Sequence, residues 1–232
     1  MRLVLLRHGE TDRNTADRFQ AQADIPLNET GVRQAQQVAR SLRPGAWAAV
    51  YSSPLSRAAR TAAYCAGRLG VPHLRLDGLR ERHLGALDGQ DRAEFARQHP
   101  RTMRRLLTDP AYAPAGGETG HAALSRFATA LRTIVEADQG VSPRLPVLVV
   151  THGGVLNLLT RALASAVEAP RVLVGTCAAV CLDTGRMPEG HPAAALRRWN
   201  VAPHECESAS APVHALPFVG LDELITKEET RT

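Results

Sequence analysis

The stretch Leu3-Val4-Leu5-Leu6-Arg7-His8-Gly9-Glu10-Thr11 runs an apolar strand straight into an Arg-His-Gly turn. The turn presents a histidine at a strand's C-terminal end, where open α/β sheets bind their ligands. An imidazole there has a free lone pair near neutral pH. Arg7 beside it offers a planar fork suited to a phosphate. A second stretch, Val149-Val150-Thr151-His152-Gly153-Gly154-Val155, repeats the arrangement of strand, histidine, glycine turn and helix. Gly153 and Gly154 let backbone amides approach an anion closely. Two such turns in one parallel sheet put both histidines in one crevice.

Working outward, strand signals lie at Arg2–Leu6, Trp47–Tyr51, Val147–Thr151 and Leu173–Leu182, with a weaker one at Ala194–Trp199. Helical periods lie between them, at Thr30–Leu42, Ser56–Leu69, Arg92–Gln98, Thr102–Leu107, Glu118–Ala137 and Val155–Ala166. In Thr30–Leu42 the apolar residues Val32, Ala35, Val38, Ala39 and Leu42 share one face. Strands alternating with helices predict an α/β three-layer sandwich, a mostly parallel central sheet flanked by helices. The unbroken apolar run Val147–Val150 is expected at the centre, buried on both faces. Thr108–Gly117, with two prolines and two glycines, reads as a loop and a candidate lid. We expect one domain over residues 1–202 and an irregular tail over 203–232.

Composition narrows the function. The 232 residues are 44% hydrophobic, enough for a sizeable core, and no apolar run approaches a membrane span or a signal sequence. Cys65, Cys177, Cys181 and Cys206 have no metal-finger spacing and read as free thiols of a cytoplasmic protein. Nearly all of the positive charge is arginine, and Lys227 is the only lysine, so a Schiff-base mechanism has no plausible residue. The net charge of +5 is scattered over helix faces, and aromatic residues are only 4% of the chain. That pattern gives no docking motif for nucleic acid. A homo-oligomer is compatible with the sequence but has no signature in it.

Further segments complete the constellation. Ser52-Ser53-Pro54-Leu55-Ser56-Arg57 opens a helix, with Ser52, Ser53 or Ser56 as a candidate cap and Arg57 projecting over a strand end. Glu81 stands in the glycine-punctuated loop Leu79–Gly89, where it is either a general acid or an ion-pair partner of Arg80 or Arg82. Thr11, Asn14 and Gln20 belong to the polar loop Thr11–Asp24, whose donors either reach a phosphate or satisfy the backbone.

Taken together, LRHGETDRN (6–14), RFQ...D.PLNETGVRQA (18–35), YSSPLSRAARTA (51–62), LRERHLGALDG (79–89), GGET (116–119) and VVTHGG (149–154) resemble the histidine phosphatase superfamily, the phosphoglycerate mutase-like family. The resemblance implies that His8 is a nucleophile that becomes phosphorylated. It implies that Arg7, Arg57 and a cationic His152 complete the phosphate pocket, and that Glu81 donates a proton. Asn14, Thr11, Gln20 and the Gly153 backbone would assist in binding a small phosphorylated substrate, with no metal and no cofactor. Arg82-His83, Arg104-Arg105 and Arg92 are similar to bisphosphoglycerate-dependent mutases. The run Gly153-Gly154-Val155-Leu156 after His152, and the short segment leading to GGET, are similar to phosphatases, which we favour. Ala21 stands where the family usually has glycine, and Val174–Cys177 lacks its usual Pro-Asn. A binding module that has lost turnover is a third reading, opposed by the presence of His8, Glu81 and His152.

Overall fold

The alternation along the first strand decides the layering. The computed structural model describes residues 1–137, 145–163, 174–186, 192–206, 219–221 and 224. Strand β1 (Arg2–Arg7) sends Leu3 and Leu5 to one face, where α6 (Gly120–Ala137) and α7 (Gly153–Leu163) cover them. It sends Val4 and Leu6 to the other, against α2 (Glu29–Ser41) and α3 (Ser56–Leu69). Strand β4 (Val147–Thr151) divides in the same way, Val147 and Val149 against Leu148 and Val150. Both faces of each strand need apolar cover, and this is why both read as unbroken apolar runs.

The remaining strands are β2 (Ala49–Ser52), β3 (His73–Arg75), β5 (Ala179–Arg186), β6 (Pro192–Val201) and β7 (Val219–Gly220). Their order across the sheet is β3-β2-β4-β1-β5-β6-β7. The pairs β3–β2, β2–β4 and β4–β1 are parallel, while β1–β5, β5–β6 and β6–β7 are antiparallel. Only β5 and β7 therefore run against the others, and the sheet is mixed but mostly parallel. A smaller cluster lies outside these three layers. There α4 (Arg92–Gln98) and α5 (Pro100–Thr108) close a satellite core of Phe19, Leu87, Phe95 and Leu106.

The structure departs from the sequence reading at several places. No strand signal marks β3, because its three residues are half-buried or exposed on the sheet edge and carry no apolar run. The strand expected over Leu173–Leu182 pairs only from Ala179, and Leu173 lies outside the described residues. Val174–Ala178 instead forms a loop in which Cys177 takes φ +55°. Its bonds to Arg7, from Arg7 N to the Ala178 carbonyl (3.0 Å) and from Cys177 N to the Arg7 carbonyl (3.1 Å), replace the sheet ladder there. The part of α7 expected beyond Leu163 also lies outside the described residues. Within the segment read as an irregular tail, β7 pairs with β6, and Leu221 and Leu224 are buried in the main core. Apolar side chains spaced along a sequence without periodicity are enough to dock it on a sheet.

The first turn meets α2 through a glycine pair. A methyl group on Gly9 would lie 2.6 Å from the Gly31 carbonyl oxygen, and one on Gly31 only 2.0 Å from that of Glu10. Asn28 caps the helix, its side chain accepting from Gly31 N at 2.8 Å and donating to the Glu10 carboxylate at 3.0 Å. Gly31→Ala must displace backbone atoms on both sides of this contact. It is expected to destabilise the protein by about 1–3 kcal/mol, as overpacking does, read from a lowered urea midpoint at unchanged slope.

Candidate active site

His8 and His152 leave adjacent parallel strands at one level because Arg7 pairs in register with Thr151. His8 N donates to the Thr151 carbonyl at 3.0 Å, carrying the ladder one residue past the strand. The two imidazoles meet edge to face, centroids 5.1 Å apart and planes at 62°. His8 Nδ1 lies 2.6 Å from the Gly9 carbonyl. A carbonyl can only accept, so Nδ1 carries the proton and Nε2 holds the lone pair.

Two guanidinium groups flank these rings. Arg57, fully buried on the first turn of α3, donates from Nη1 to the Ala23 carbonyl (2.7 Å) and from Nη2 to that of Ala21 (2.8 Å). Arg7 donates from Nη1 to the Val174 carbonyl at 2.7 Å. Its guanidinium crosses the start of α7, and a methyl group on Gly153 would touch its Nε at 3.1 Å. Arg7 Nε, Arg57 Nε and both ring nitrogens of His152 are buried with no protein hydrogen-bond partner. Buried donors of this kind normally have partners, so the atoms without them outline a site for an anion. The serine cap expected for α3 is replaced by Asp24, whose carboxylate accepts from Ser56 N at 2.6 Å and is held below the usual carboxylate range by that bond. Ser53 Oγ accepts from Leu55 N, and Pro54 stands before the helix.

Burial dominates the electrostatics. Both histidines are held well below their ordinary 6.5, first by burial and then by the positive charge of Arg57 and Arg7. Burial also pulls Arg57 down to about 10, against the opposing influence of Glu81. His152 in the protein alone is consequently driven toward the neutral form. A proton on it requires an anion between the arginines.

Glu81 sits at the N-terminus of α7. Oε1 accepts from Arg82 N (2.8 Å) and Val155 N (2.9 Å), and Oε2 accepts from Gly154 N (2.7 Å). A carboxylate has about four lone-pair directions, so one is left for a proton or water. A methyl group on Gly154 would lie 2.5 Å from Oε1, which explains the second glycine of the turn. Of the alternatives open in the sequence, Glu81 pairs with neither neighbouring guanidinium. Arg80 pairs with Asp77. Arg82 is buried and donates to the carbonyls of Glu118 (3.2 Å), Leu106 (3.3 Å) and Tyr112 (2.5 Å).

Those bonds tie down the segment read as a lid, and Ala86 N adds another to the Ala115 carbonyl at 2.9 Å. Arg126 braces the Glu81 loop from α6, through the carbonyls of Gly78 (2.9 Å), Arg80 (2.8 Å) and Glu81 (3.2 Å), and pairs with Glu118 at 2.6 Å. In the polar loop, Thr11 and Asn14 form a reciprocal cap on the short helix α1 (Asp12–Thr15), and the Thr11 hydroxyl also meets Gln20 Oε1. Thr11 is thereby committed to the loop. Ala21 is buried and keeps φ out of the left-handed region, so its methyl group strains no backbone. Arg126 lies outside every quoted motif, and Asp24 and Arg82, though inside two of them, act on backbone groups far away in sequence that no motif discloses.

Among the described residues no cluster of three or more His, Cys, Asp or Glu could hold a metal, and no helix is long and apolar enough to cross a membrane. Convergence of a buried and a half-buried arginine and two imidazoles at parallel strand ends, with a carboxylate behind, defines an enzyme of the phosphatase class on an α/β sandwich. Residues 3–200 match the histidine phosphatase superfamily (branch 1), and the chain belongs to that family. It is 36% identical to a metal-independent phosphoserine phosphatase of Arabidopsis thaliana over 178 residues, 74% of this chain and 72% of that one. It is 38% identical to a glucosyl-3-phosphoglycerate phosphatase of Mycobacterium tuberculosis over 167 residues, 70% of this chain and 74% of that one. A solved structure of mycobacterial glucosyl-3-phosphoglycerate phosphatase with VO3 superimposes with TM-score 0.74 and 31% identity, covering 87% of this chain and 99% of that one.

The histidines predict a pH dependence of stability. Above about pH 6.5 the imidazoles are neutral in both folded and unfolded chains. As pH falls below that value the unfolded histidines take up protons that the folded ones refuse. Stability should therefore decline on acidification, with a limiting slope of about 1.4 kcal/mol per pH unit for each group, down to the depressed folded values. Urea unfolding in phosphate-free buffer from pH 7.5 to 5 checks this, and a His8→Asn/His152→Asn double variant should show a shallower decline.

Proposed function

We propose that the protein hydrolyses phosphomonoesters of small phosphorylated metabolites through a phosphohistidine on His8. The observation that carries this reading is the lone pair of His8 Nε2 beside unpartnered donors of Arg7 and Arg57 and the ring of His152. Phosphoryl transfer spreads negative charge over the equatorial oxygens, and its catalysis is mostly positioning and electrostatic stabilisation. The arginines bind the dianion, which raises the affinity of His152 for a proton and makes it a donor to the same oxygens. Asn14 Nδ2, Gln20 Nε2 and the Gly153 amide extend the set of donors, and Thr11 holds their loop. His8 Nε2 attacks phosphorus in line and the P–O bond to the alcohol breaks. A proton on the remaining lone pair of Glu81 passes to the departing oxygen. Glu81, now a carboxylate, then takes a proton from the water that cleaves the P–N bond.

Every charge-stabilising group in this scheme is a side chain or backbone amide of the chain, so the scheme needs no metal ion. Hydrolysis is favoured over mutase chemistry by the arginines that resemble the mutases. Arg82 is committed to three carbonyls, Arg105 to Asp109 and the Tyr112 ring, and Arg92 to Asp17 and the Phe19 ring. That leaves few cations to re-present a second phosphate. Names of the relatives, phosphoserine and glucosyl-3-phosphoglycerate phosphatases, support a small hydroxy-metabolite phosphate as substrate. Four cysteines in the thiol form, three of them buried, agree with a reducing, cytoplasmic setting.

Steady-state hydrolysis of p-nitrophenyl phosphate in EDTA tests the reading. Wild type should turn over, and His8→Ala should fall to background. Quenching in alkaline detergent during turnover of labelled substrate should trap an acid-labile, alkali-stable phosphoenzyme in wild type only. Conversion of 3-phosphoglycerate to 2-phosphoglycerate with added 2,3-bisphosphoglycerate should stay at background, and rapid conversion there would replace hydrolase with mutase.

Glu81→Gln should slow an alkyl phosphate such as phosphoserine by about 10²–10⁴-fold, as expected for loss of a general acid. It should slow the first step with nitrophenyl phosphate far less, because nitrophenolate leaves without protonation. Pre-steady-state burst rates on the two substrates make the comparison, and equal losses would remove Glu81 from the acid role.

A further inference from the structure

The glycine turn that carries His8 is held from two helices at once. Gly9 N donates to the hydroxyl of Thr61 at 3.2 Å, and that hydroxyl donates to the Arg57 carbonyl at 2.8 Å. Thr61 is fully buried on α3, one turn after Arg57. Its single proton is used on Arg57, so toward Gly9 it can only accept. On the opposite side, Glu10 N donates to Gln34 Oε1 of α2 at 2.9 Å. Glu10 N and the Gly9 carbonyl belong to one peptide group, and that carbonyl receives His8 Nδ1–H. A peptide whose N–H is bonded has a more strongly polarised carbonyl. Gly9 itself has no side chain to restrict its rotation, so these two side-chain contacts, beside the bond from Cys177 N to the His8 carbonyl and the packing on Gly31, hold the flanking peptides.

We propose that Gln34 and Thr61 are the positioning residues of His8, holding the two Gly9 peptides so that the imidazole is kept as the Nδ1–H tautomer with Nε2 aimed at phosphorus. The proposal rests on His8 being the nucleophile. Neither residue is placed to touch substrate; each acts through the backbone of the turn. A phosphate pocket could bind its ligand with the turn loosened, because Arg57 keeps its bonds to Ala21 and Ala23 and Arg7 its bond to Val174. Binding and chemistry therefore separate in this proposal, and the loss belongs to kcat.

The test compares Thr61→Val, Thr61→Ser, Gln34→Met and His8→Ala with wild type, on p-nitrophenyl phosphate and by long-range ¹H–¹⁵N spectra of histidine-labelled protein. Thr61→Val and Gln34→Met should each lower kcat by about 10–100-fold, the size seen when an outer hydrogen bond to a working histidine is removed. KM and the inhibition constant for inorganic phosphate should stay within about threefold of wild type, as uniform binding is untouched. The His8 resonances, identified by their loss in His8→Ala, should change from the Nδ1–H pattern to a mixture of tautomers. Thr61→Ser restores the hydroxyl and should restore both kcat and the pattern.

Wild-type kcat and an unchanged Nδ1–H pattern in both variants, with His8→Ala inactive, would overturn the positioning role and leave the nucleophile in place. The positioning role also falls if Thr61→Ser is as impaired as Thr61→Val, because the defect would then come from packing. Full activity in His8→Ala would instead remove the nucleophile on which the proposal rests. Gln34 is only half-buried, so Gln34→Met gives a folded reporter even if Thr61→Val is unstable.

Discussion

Everything in the site follows from the register between β1 and β4. Arg7 opposite Thr151 brings two strands to an end together, so the residues after them emerge side by side. Shifting the pairing by one residue would turn every side chain of the strand to the other face. His8 and His152 would then no longer meet at one level, and Leu3 and Leu5 would exchange faces with Val4 and Leu6. The register is thus enforced by a core on both sides of the sheet, and the site inherits its precision from that core. Ser52, at the end of the adjoining β2, completes the row and leads into the helix that carries Arg57.

The second determinant is the balance of charge around this row. Two guanidinium groups are buried beside two imidazoles, and the protein answers with neutral histidines and backbone carbonyls. Glu81 is the nearby carboxylate, and its oxygens are already taken by three backbone amides of its own loop and of α7. The pocket therefore stays electropositive and under-satisfied in a low-dielectric setting. A phosphate entering it gains hydrogen bonds and Coulomb energy that water would have weakened. Organisation of this kind also explains why so many arginines serve as braces. Arg82 and Arg126 fix the segments around Glu81 through their carbonyls.

A good part of this was legible in the chain. The Arg-His-Gly and Thr-His-Gly-Gly turns, each after an apolar run, locate both histidines at strand ends, and the alternation of strand and helix gives the sandwich. Helices α3 and α4 lie where their periodicity put them, because a buried face repeats every three to four residues whatever covers it. Three things could not be read. Strand β3 is too short and too polar to signal itself. The protonation of His152 depends on burial and on Arg57, more than ninety positions away. The cap of α3 comes from Asp24, which precedes the helix by more than thirty residues, and its motif does not say which amide it meets.

Residue identity and spacing by themselves determined the chemistry on offer: two imidazoles, two guanidinium groups and a carboxylate, each at the edge of a regular element. Local periodicity is a property of the chain, and it survives without knowledge of the partner. Only the tertiary structure decided which of these groups are left with unpartnered atoms and which are used up on the backbone. Arg57 keeps an unpartnered Nε, while Arg82 is consumed by carbonyls. That difference is set by what the fold packs around each guanidinium. Hydrogen bonds and desolvation depend on distance in space, and segments far apart in sequence supply both.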